Sequence, residues 1–269
     1  MGNQALKTTI YDAAKNGNVA LLTESVQSIG TNLVQVLCDG FPDGITPLHK
    51  ACQNGFLDAV KYLVEHQADS NKLDDYYRSP LYYAVSENQV DVVDYLVNYR
   101  KVKLRIKYRQ KDAKTGEVKT TEKESPLHCA AAKGHFQVCQ ILIAAGAYVN
   151  LSINDATLLF DETPLHRAAQ HGHLEVMKLL VHNGAALNKG DADGNTALHK
   201  ACYCNHLKCV EFLISEGSSI DPQNGKHEIP LDMARKGGHR DIERIYGTSL
   251  LTSSINIVLS IITNPITDV

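Results

Sequence analysis

A cluster of histidine and cysteine side chains around position 200 is where the sequence comes nearest to a metal site. Its members are His199, Cys202, Cys204, His206 and Cys209, and imidazole and thiolate groups are the ligands that zinc prefers. Cys202 and Cys204, however, stand two positions apart in a segment with helical periodicity, so their side chains point to different faces. We therefore expect no metal site here, and we interpret Cys202 as a small buried side chain.

Motifs of the common enzyme classes are missing from the sequence. It holds no G-x-S-x-G nucleophile elbow, no H-E-x-x-H zinc-protease motif, no P-loop and no glycine-rich dinucleotide fingerprint. Catalysis would therefore need a nucleophile, a base and an orienting group assembled without any such motif. We predict a protein that has no catalytic activity and needs no cofactor.

Residues 100–123 form a basic segment that is the most individual feature of the chain. They carry ten basic and three acidic side chains, a formal charge of +7, although the whole chain has a net charge of −3. Basic and apolar residues alternate from Lys101 to Arg109 at the period of a strand, and residues 112–116 supply turn chemistry. We predict an extended β-hairpin that binds an acidic peptide, a phosphorylated segment or an anionic lipid, or alternatively a solvated loop. The acidic chain as a whole is not expected to bind nucleic acid.

A Pro-Leu or Ala-Leu step recurs along the chain at an almost fixed interval. Successive leucines are 33, 46, 38, 33 and 33 residues apart, and the two longer intervals equal 33 plus insertions of 13 and 5. Stacked supersecondary units produce this pattern, because each unit contacts only its neighbours and extra residues loop out at one edge. The leucines are Leu48, Leu81, Leu127, Leu165, Leu198 and Leu231.

Each unit is predicted to contain two short antiparallel helices. A Ser or Thr suited to N-capping precedes the step in most units, and Pro often follows at the first helical position, as in Thr46-Pro47 and Ser125-Pro126. The first helix ends at a glycine such as Gly55 or at an asparagine, and the second ends at a glycine such as Gly184. An alanine three positions after each leucine allows the helices to approach closely.

The four-residue steps Thr46-Pro47-Leu48-His49, Ser125-Pro126-Leu127-His128, Thr163-Pro164-Leu165-His166 and Thr196-Ala197-Leu198-His199 resemble the signature of ankyrin repeats. The resemblance covers about residues 43–246, and a degenerate unit precedes them. It implies an all-α solenoid of about seven helix-turn-helix units with β-turn fingers, in which each signature histidine binds back to the Thr or Ser three residues earlier. The repeat domain is placed at 1–246, with units near 8–38, 43–73, 76–99, 122–150, 161–190, 194–221 and 227–246 and insertions at 100–123 and 151–161.

The resemblance also implies a concave groove, lined by the fingers and first helices, that binds another protein. We expect a monomeric, non-catalytic scaffold or adaptor, in the cytoplasm or the nucleus because the seven cysteines are odd in number and no apolar leader is present. Exposed finger aromatics and the position after the signature histidine are favoured for binding. The expected partner-binding residues are Tyr76, Tyr77, Tyr82, Tyr83, Lys50, Lys103, Arg105, Lys107, Arg109, Leu158, Leu159, Phe160, Arg167 and Lys200.

Three asparagines, Asn71, Asn150 and Asn188, each stand eight residues after a leucine of the second helix. This spacing is similar to that of the sites modified by the asparaginyl hydroxylase of ankyrin repeats. The alternative is that asparagine suits the tight turn through its side-chain hydrogen bonds.

Residues 247–269 form an apolar tail that does not fit the repeat pattern. Its dense apolar stretch is about 13 residues long, whereas a membrane span needs about 20. We expect the tail to cover the last unit, to anchor weakly to a membrane or to be an isoform-specific end. A peripheral membrane adaptor that uses the basic segment and this tail is the alternative function.

Overall fold

The computed structural model describes residues 3–28, 41–105, 107–111, 118–122, 124–153 and 161–246. Pairs of short helices follow one another through these ranges. The pairs are α1 (Asn3–Lys15) with α2 (Val19–Gln27), α3 (Pro47–Asn54) with α4 (Leu57–Glu65), α5 (Pro80–Ser86) with α6 (Val90–Asp94, continued by a π-helical turn at Tyr95–Tyr99), α7 (Pro126–Lys133) with α8 (Phe136–Ala144), α9 (Pro164–Gln170) with α10 (Leu174–His182), α11 (Ala197–Tyr203) with α12 (Leu207–Ser215), and α13 (Pro230–Gly237) with α14 (residues 240–246).

The helix ends follow the local signals of the sequence. Thr46 has an extended backbone before α3, and its hydroxyl accepts a hydrogen bond from the main-chain N–H of His49. Gly55 ends the same helix at φ 76°, in the left-handed region that costs glycine least. Asn88 and Asn205 take the corresponding position in two other pairs, at φ 57° and 60°. The predicted starts and stops of these helices are confirmed.

The helix pairs stack in single file. First helices pack on the first helices of the adjacent pairs, and second helices pack on second helices. The repeated leucines are almost completely buried between the layers, and each contributes about 1.5–3 kcal/mol by leaving water. The small residues three positions later are completely buried as well, namely Ala51, Ala84, Ala130, Ala168, Ala201 and Ala234. The fold is therefore a helical solenoid with one continuous core.

The basic segment leaves this stack after the π-helical turn. Solvent exposure alternates along its first residues. Lys101, Lys103 and Arg105 are exposed, whereas Val102 is buried and Leu104 is half-buried. Further on, β1 (Lys107–Lys111) pairs antiparallel with β2 (Val118–Glu122), and Lys107 lies opposite Glu122. The chain returns to the stack at α7.

The last helix of the described ranges packs firmly on the stack. Tyr246 is completely buried, and the Sγ of Cys202 donates a hydrogen bond to its hydroxyl oxygen across 3.7 Å. Cys202 is itself completely buried, as predicted. Residues 247–269, to which the tail prediction applies, lie outside the described residues. Within those residues, no helix combines the length and the apolar character needed to cross a bilayer.

Candidate functional site

The signature histidines join neighbouring units through both ring nitrogens. In His49, Nδ1 lies 2.8 Å from Oγ1 of Thr46 and accepts the main-chain N–H of that residue, while Nε2 lies 3.2 Å from the carbonyl oxygen of Arg78 in the next unit. The other three signature histidines make the same two side-chain contacts, with Nδ1 at 2.7–3.0 Å from the hydroxyl of the preceding Ser or Thr and Nε2 at 2.9–3.1 Å from a carbonyl oxygen of the next unit; they are His128, His166 and His199. The predicted contact with the preceding Thr or Ser is confirmed. The contact with the next unit was not predicted.

These four imidazoles are held in the neutral form. Burial lowers the pKa of His49 to about 4 and that of His128 to about 3, and it lowers the pKa of His166 and His199 as well. A carbonyl oxygen can only accept, so Nε2 carries the proton and Nδ1 is left to accept from the main chain. Both ring nitrogens of each histidine are occupied by structural hydrogen bonds, so none of the four rings is free to act as a base.

Three of the fingers that precede a first helix are turns built on one Asp or Asn side chain. Oδ1 of Asp74 accepts hydrogen bonds from the main-chain N–H groups of Tyr76 and Arg78, at 2.9 and 2.8 Å. Asp191 and Asn224 make the same pair of contacts in later fingers. All three stand five residues before the N-cap of the helix that follows. That spacing is typical of a turn closed by a side chain, but these turns were not predicted from the sequence.

The predicted tyrosine patch divides into exposed and buried members. Tyr76 is 59% exposed and Tyr77 is 40% exposed, at the tip of the finger that Asp74 closes. Tyr82 is half-buried, and its hydroxyl donates to Oε2 of Glu124 across 3.0 Å. Tyr83 is only 7% exposed, and its hydroxyl donates to Oδ2 of Asp74 across 2.8 Å. The expectation that Tyr83 belongs to an exposed patch is therefore wrong, because its ring packs edge-on against His49, with ring centroids 5.3 Å apart, and is covered by the guanidinium of Arg78.

Tyr77 has an unusual backbone for its residue type. Its φ is 62°, in the left-handed region, and at the corresponding finger positions Gly44, Gly194 and His227 have φ of 68°, 79° and 59°. An L-residue with a Cβ loses roughly 1–2 kcal/mol in this conformation, whereas glycine adopts it readily. A large aromatic side chain thus stands at an exposed tip where glycine would be less strained.

A network of ion pairs crosses the units at the first helices. Nζ of Lys200 lies 2.7 Å from Oε1 of Glu162 and 2.8 Å from Oδ2 of Asp191, and both carboxylates are almost fully buried. Arg167 pairs with Glu162 and with Glu124, at 3.4 and 3.2 Å. Burial alone would raise the pKa of Asp191, but the hydrogen bond and charge of Lys200 outweigh it, and the net shift is downward. Lys200 and Arg167 therefore bind the protein itself.

The cations of this network were predicted from the sequence, but its carboxylates were not. Glu124 and Glu162 both come directly before the Ser or Thr that starts a unit, which was the available signal. Lys50 occupies the same position as Lys200 in an earlier unit, and its Nζ donates only to Oε1 of Gln53 among the described residues, at 2.9 Å.

The remaining predicted binding residues fall on the two insertions. Lys103 and Arg105 are exposed at the base of the basic segment. Lys107 and Arg109 belong to strand β1, and the positions of their side chains are not described. Leu158, Leu159 and Phe160 lie outside the described residues.

The three turn asparagines connect their units to the next. Oδ1 of Asn150 accepts from the main-chain N–H of Ala186, and its Nδ2 donates to the carbonyl oxygen of Gly184, both at 2.8 Å. Oδ1 of Asn188 accepts from the N–H of Ser219 at 2.8 Å, and Oδ1 of Asn71 accepts from the N–H of Lys103 at 2.9 Å. Side-chain hydrogen bonds are thus seen at all three positions, but they join neighbouring units and do not close the asparagine's own turn.

A second series of histidines precedes the second helices. Nε2 of His173 lies 3.0 Å from the carbonyl oxygen of Ala132, and Nε2 of His206 lies 3.0 Å from that of Gln170. His135 and His239 make similar contacts with Ser86 and Tyr203. Each ring binds the end of the preceding first helix. In the described part of the chain, no three His, Cys, Asp or Glu side chains are grouped to hold a metal ion.

Comparison with known proteins agrees with this geometry. A family model described as "Ankyrin repeats (3 copies)" matches residues 10–112 and 150–224, and one described as "Ankyrin repeat" matches residues 122–154. The crystal structure of the human ASB11 ankyrin repeat domain superposes with a TM-score of 0.68 at 24% identity, over 84% of this chain and 90% of that one.

Curated relatives match over shorter stretches. Protein fem-1 homolog CG6966 of Drosophila melanogaster is 26% identical over 54% of this chain, and Protein fem-1 homolog A-like of Mus musculus is 39% identical over 23% of it. Human Protein phosphatase 1 regulatory subunit 27 is 37% identical over 21% of it. The matched regions span 16%, 9% and 37% of those proteins, respectively.

Proposed function

Since this chain belongs to the ankyrin repeat family, whose repeats generally mediate protein–protein interaction, we propose that it is a non-catalytic scaffold or adaptor. It acts as a monomer of about seven units over residues 1–246, in the cytoplasm or the nucleus, and binds one partner protein along its fingers and concave groove. The name of the phosphatase regulatory subunit, to which it is similar over 57 residues, is consistent with a protein partner for such repeats.

The observation that carries the proposal is the tip of the second finger. Tyr76 and Tyr77 are exposed there, and Tyr77 keeps a strained left-handed backbone at a position that glycine occupies in two other fingers. Strain of this kind is retained where a side chain has a use. Tyrosine is a frequent anchor at interfaces because its rigid ring buries a large area.

Charged groups next to the finger would complete the surface. Lys50 is half-buried and makes no ion pair among the described residues, so an acidic side chain of a partner could pair with it. The charges of Arg167 and Lys200 are partly neutralised by carboxylates of the same chain. A surface of this kind would favour a polar segment of the partner. Tyr82, Leu158, Leu159 and Phe160 extend the proposed surface towards the second insertion.

Affinity capture with the full chain as bait tests the proposal. We expect the wild-type chain to retain a partner and the Tyr77→Gly variant to bind that partner with an affinity about tenfold or more lower. The reason is that a central tyrosine contributes about 2 kcal/mol or more at such interfaces. Tyr203→Gly removes another exposed tyrosine, 61% exposed on the last residue of α11, and serves as the control. Equal capture by wild type and Tyr77→Gly would contradict the role of this finger.

The basic segment supports a second candidate, an adaptor for anionic lipid surfaces. The exposed side chains of Lys101, Lys103 and Arg105 are the observation in its favour, because clustered cations are drawn to acidic headgroups. Flotation with vesicles that contain or lack phosphatidylserine tests it. Binding that needs phosphatidylserine and disappears on Lys103→Glu, Arg105→Glu and Lys107→Glu substitution would favour this candidate. The apolar tail, residues 247–269, would strengthen the attachment.

Hydroxylation of Asn71, Asn150 and Asn188 also remains a proposal. Mass spectrometry of the native protein that detects no 16 Da increase, the mass of one added oxygen atom, on any of the three residues would remove it.

A further inference from the structure

The start of the basic segment borders two neighbouring clefts that share Leu104 as a lining residue. One, of about 440 Å³, is lined on one side by Lys103, Leu104 and Arg105 and on the other by Tyr148 and Leu151. The other, of about 360 Å³, lies between Lys101, Leu104 and Ala145. The larger one reaches the lower part of the size range of small-molecule sites, which is enough to hold one apolar side chain.

The chain that forms this border is held in place. Its N–H groups donate to fixed acceptors, since that of Val102 binds the carbonyl oxygen of Leu96 and that of Lys103 binds Oδ1 of Asn71. Val102 is almost fully buried beneath it. The clefts are therefore preformed features of the stack, at the edge where the second helices end.

The side chains around the clefts combine positive charge with apolar surface. Lys101, Lys103 and Arg105 are exposed and alternate with the buried Val102 and the half-buried Leu104, so the three cations lie on the solvent side of this segment. Tyr148 is 62% exposed, and its hydroxyl makes no hydrogen bond with the described residues. The floor consists of Leu104, Ala147 and Leu151.

The charge of the molecule directs an acidic partner to this edge. Residues 100–123 carry a formal charge of +7, so the remainder of the chain carries −10. An acidic segment is repelled from most of the surface and attracted here. A membrane surface fits this edge less well. Membrane-binding proteins insert protruding apolar side chains among the lipid headgroups, whereas the apolar side chains here line a recess.

We infer that these neighbouring clefts bind an acidic peptide segment of a partner protein, with carboxylates that pair with Lys103 and Arg105 and one Leu or Phe side chain inserted beside Tyr148. The inference rests on the proposed adaptor function, but it places this contact at the helix ends and basic segment instead of the groove. Lys103, Arg105 and Tyr148 are the residues that select the peptide.

Fluorescence anisotropy with two labelled peptides tests the inference. The first is Glu-Glu-Leu-Glu-Phe-Glu-Glu, and the second has glycine in place of both apolar residues. We expect the first to bind wild-type full-length chain about tenfold or more tightly than the second, because burial of one such side chain removes its apolar surface from water. Lys103→Glu/Arg105→Glu should abolish binding of both peptides, and Tyr148→Ala should remove most of the preference for the first.

Matched variants control for folding and for nonspecific charge. Lys208→Glu/Lys226→Glu reverses two exposed cations elsewhere, and Tyr203→Ala removes a tyrosine that is 61% exposed against 62% for Tyr148. Neither should change binding, and all variants should melt at the temperature of the wild type. No binding of either peptide, equal binding of both, or an equal loss in the controls would overturn the inference.

Two further measurements separate this inference from neighbouring ones. Binding of phosphatidylserine vesicles without binding of either peptide would assign the edge to membranes and overturn the inference. Tyr77→Gly should leave peptide binding unchanged, since the finger lies outside the clefts. If the peptide fails while a captured partner still depends on Tyr77, the inference fails and the proposed function stands.

Discussion

Nε2 of His166 lies 2.9 Å from the carbonyl oxygen of Asn195, and Nδ1 of the same ring lies 2.8 Å from Oγ1 of Thr163. One imidazole thus closes the start of its own helix and binds the finger of the next unit. Because the ring is almost completely buried, neither contact can be replaced by water.

Replacement of His166 by alanine should therefore cost about 2–4 kcal/mol of unfolding free energy, because it leaves a cavity and removes the acceptor of the buried main-chain N–H of Thr163. Urea denaturation followed by circular dichroism measures the change. His182→Ala removes an exposed histidine at the end of α10 and should change the stability by less than about 0.5 kcal/mol. A similar small effect for both variants would show that the bridge is unimportant.

The buried histidines also predict a loss of stability in mild acid. Their folded pKa lies below the unfolded value of about 6.5, so between pH 6.5 and about 4 the unfolded chain takes up protons that the native state refuses. Stability is full above this window and falls as the pH decreases through it. Each of His49 and His128 should cost about 1 kcal/mol by pH 5.5.

Melting temperatures measured from pH 8 to pH 5 check this expectation. The carboxylate Asp191, whose pKa is lowered, contributes stability that is lost only at lower pH, below the ordinary range for Asp. A melting temperature that stays constant from pH 7 to pH 5 would contradict the neutral, buried state of the histidines.

Lys200→Met should be strongly destabilising. The substitution leaves Glu162 and Asp191 as neighbouring buried carboxylates without their shared cation, and loss of one partner from a buried ion pair typically costs about 3–5 kcal/mol. Lys178→Met breaks an exposed pair with Glu175 and should cost less than about 1 kcal/mol. Chemical denaturation of the two variants compares them. An equal effect would mean that Lys200 is free in solution.

Two glycines with the same backbone should respond differently to alanine. Gly172 and Gly184 have φ of 75° and 83°, but a Cβ on Gly172 would lie 2.5 Å from Nδ1 of His206, whereas one on Gly184 meets nothing within 4 Å. Gly184→Ala should cost about 1–2 kcal/mol from the left-handed conformation alone. Gly172→Ala should cost about 1–3 kcal/mol more through the steric clash. Thermal melts of both variants measure the difference.

The repeat positions were predictable because they depend on local chemistry. The cap of Thr46, the stop at Gly55 and the burial of Ala51 each follow from a residue type at a fixed offset within one unit. Contacts between units were harder to predict from the sequence. Glu162 and Lys200 are 38 residues apart, and the residues around each do not indicate which distant residue it pairs with. Tyr83 shows the same limit, because two adjacent tyrosines on a short helix necessarily face different directions.

The sequence by itself determined the period, the helix pairs and the chemistry of each turn, because these follow from steric and hydrogen-bonding preferences over a few residues. Only the tertiary structure decided which charges are free. Stacking neutralises Lys200 and Arg167 against carboxylates of neighbouring units and leaves Lys103 exposed beside a cleft. Which charges pair depends on the distance, in the folded stack, between groups that are far apart in the sequence. The residue spacing within one unit does not encode that distance.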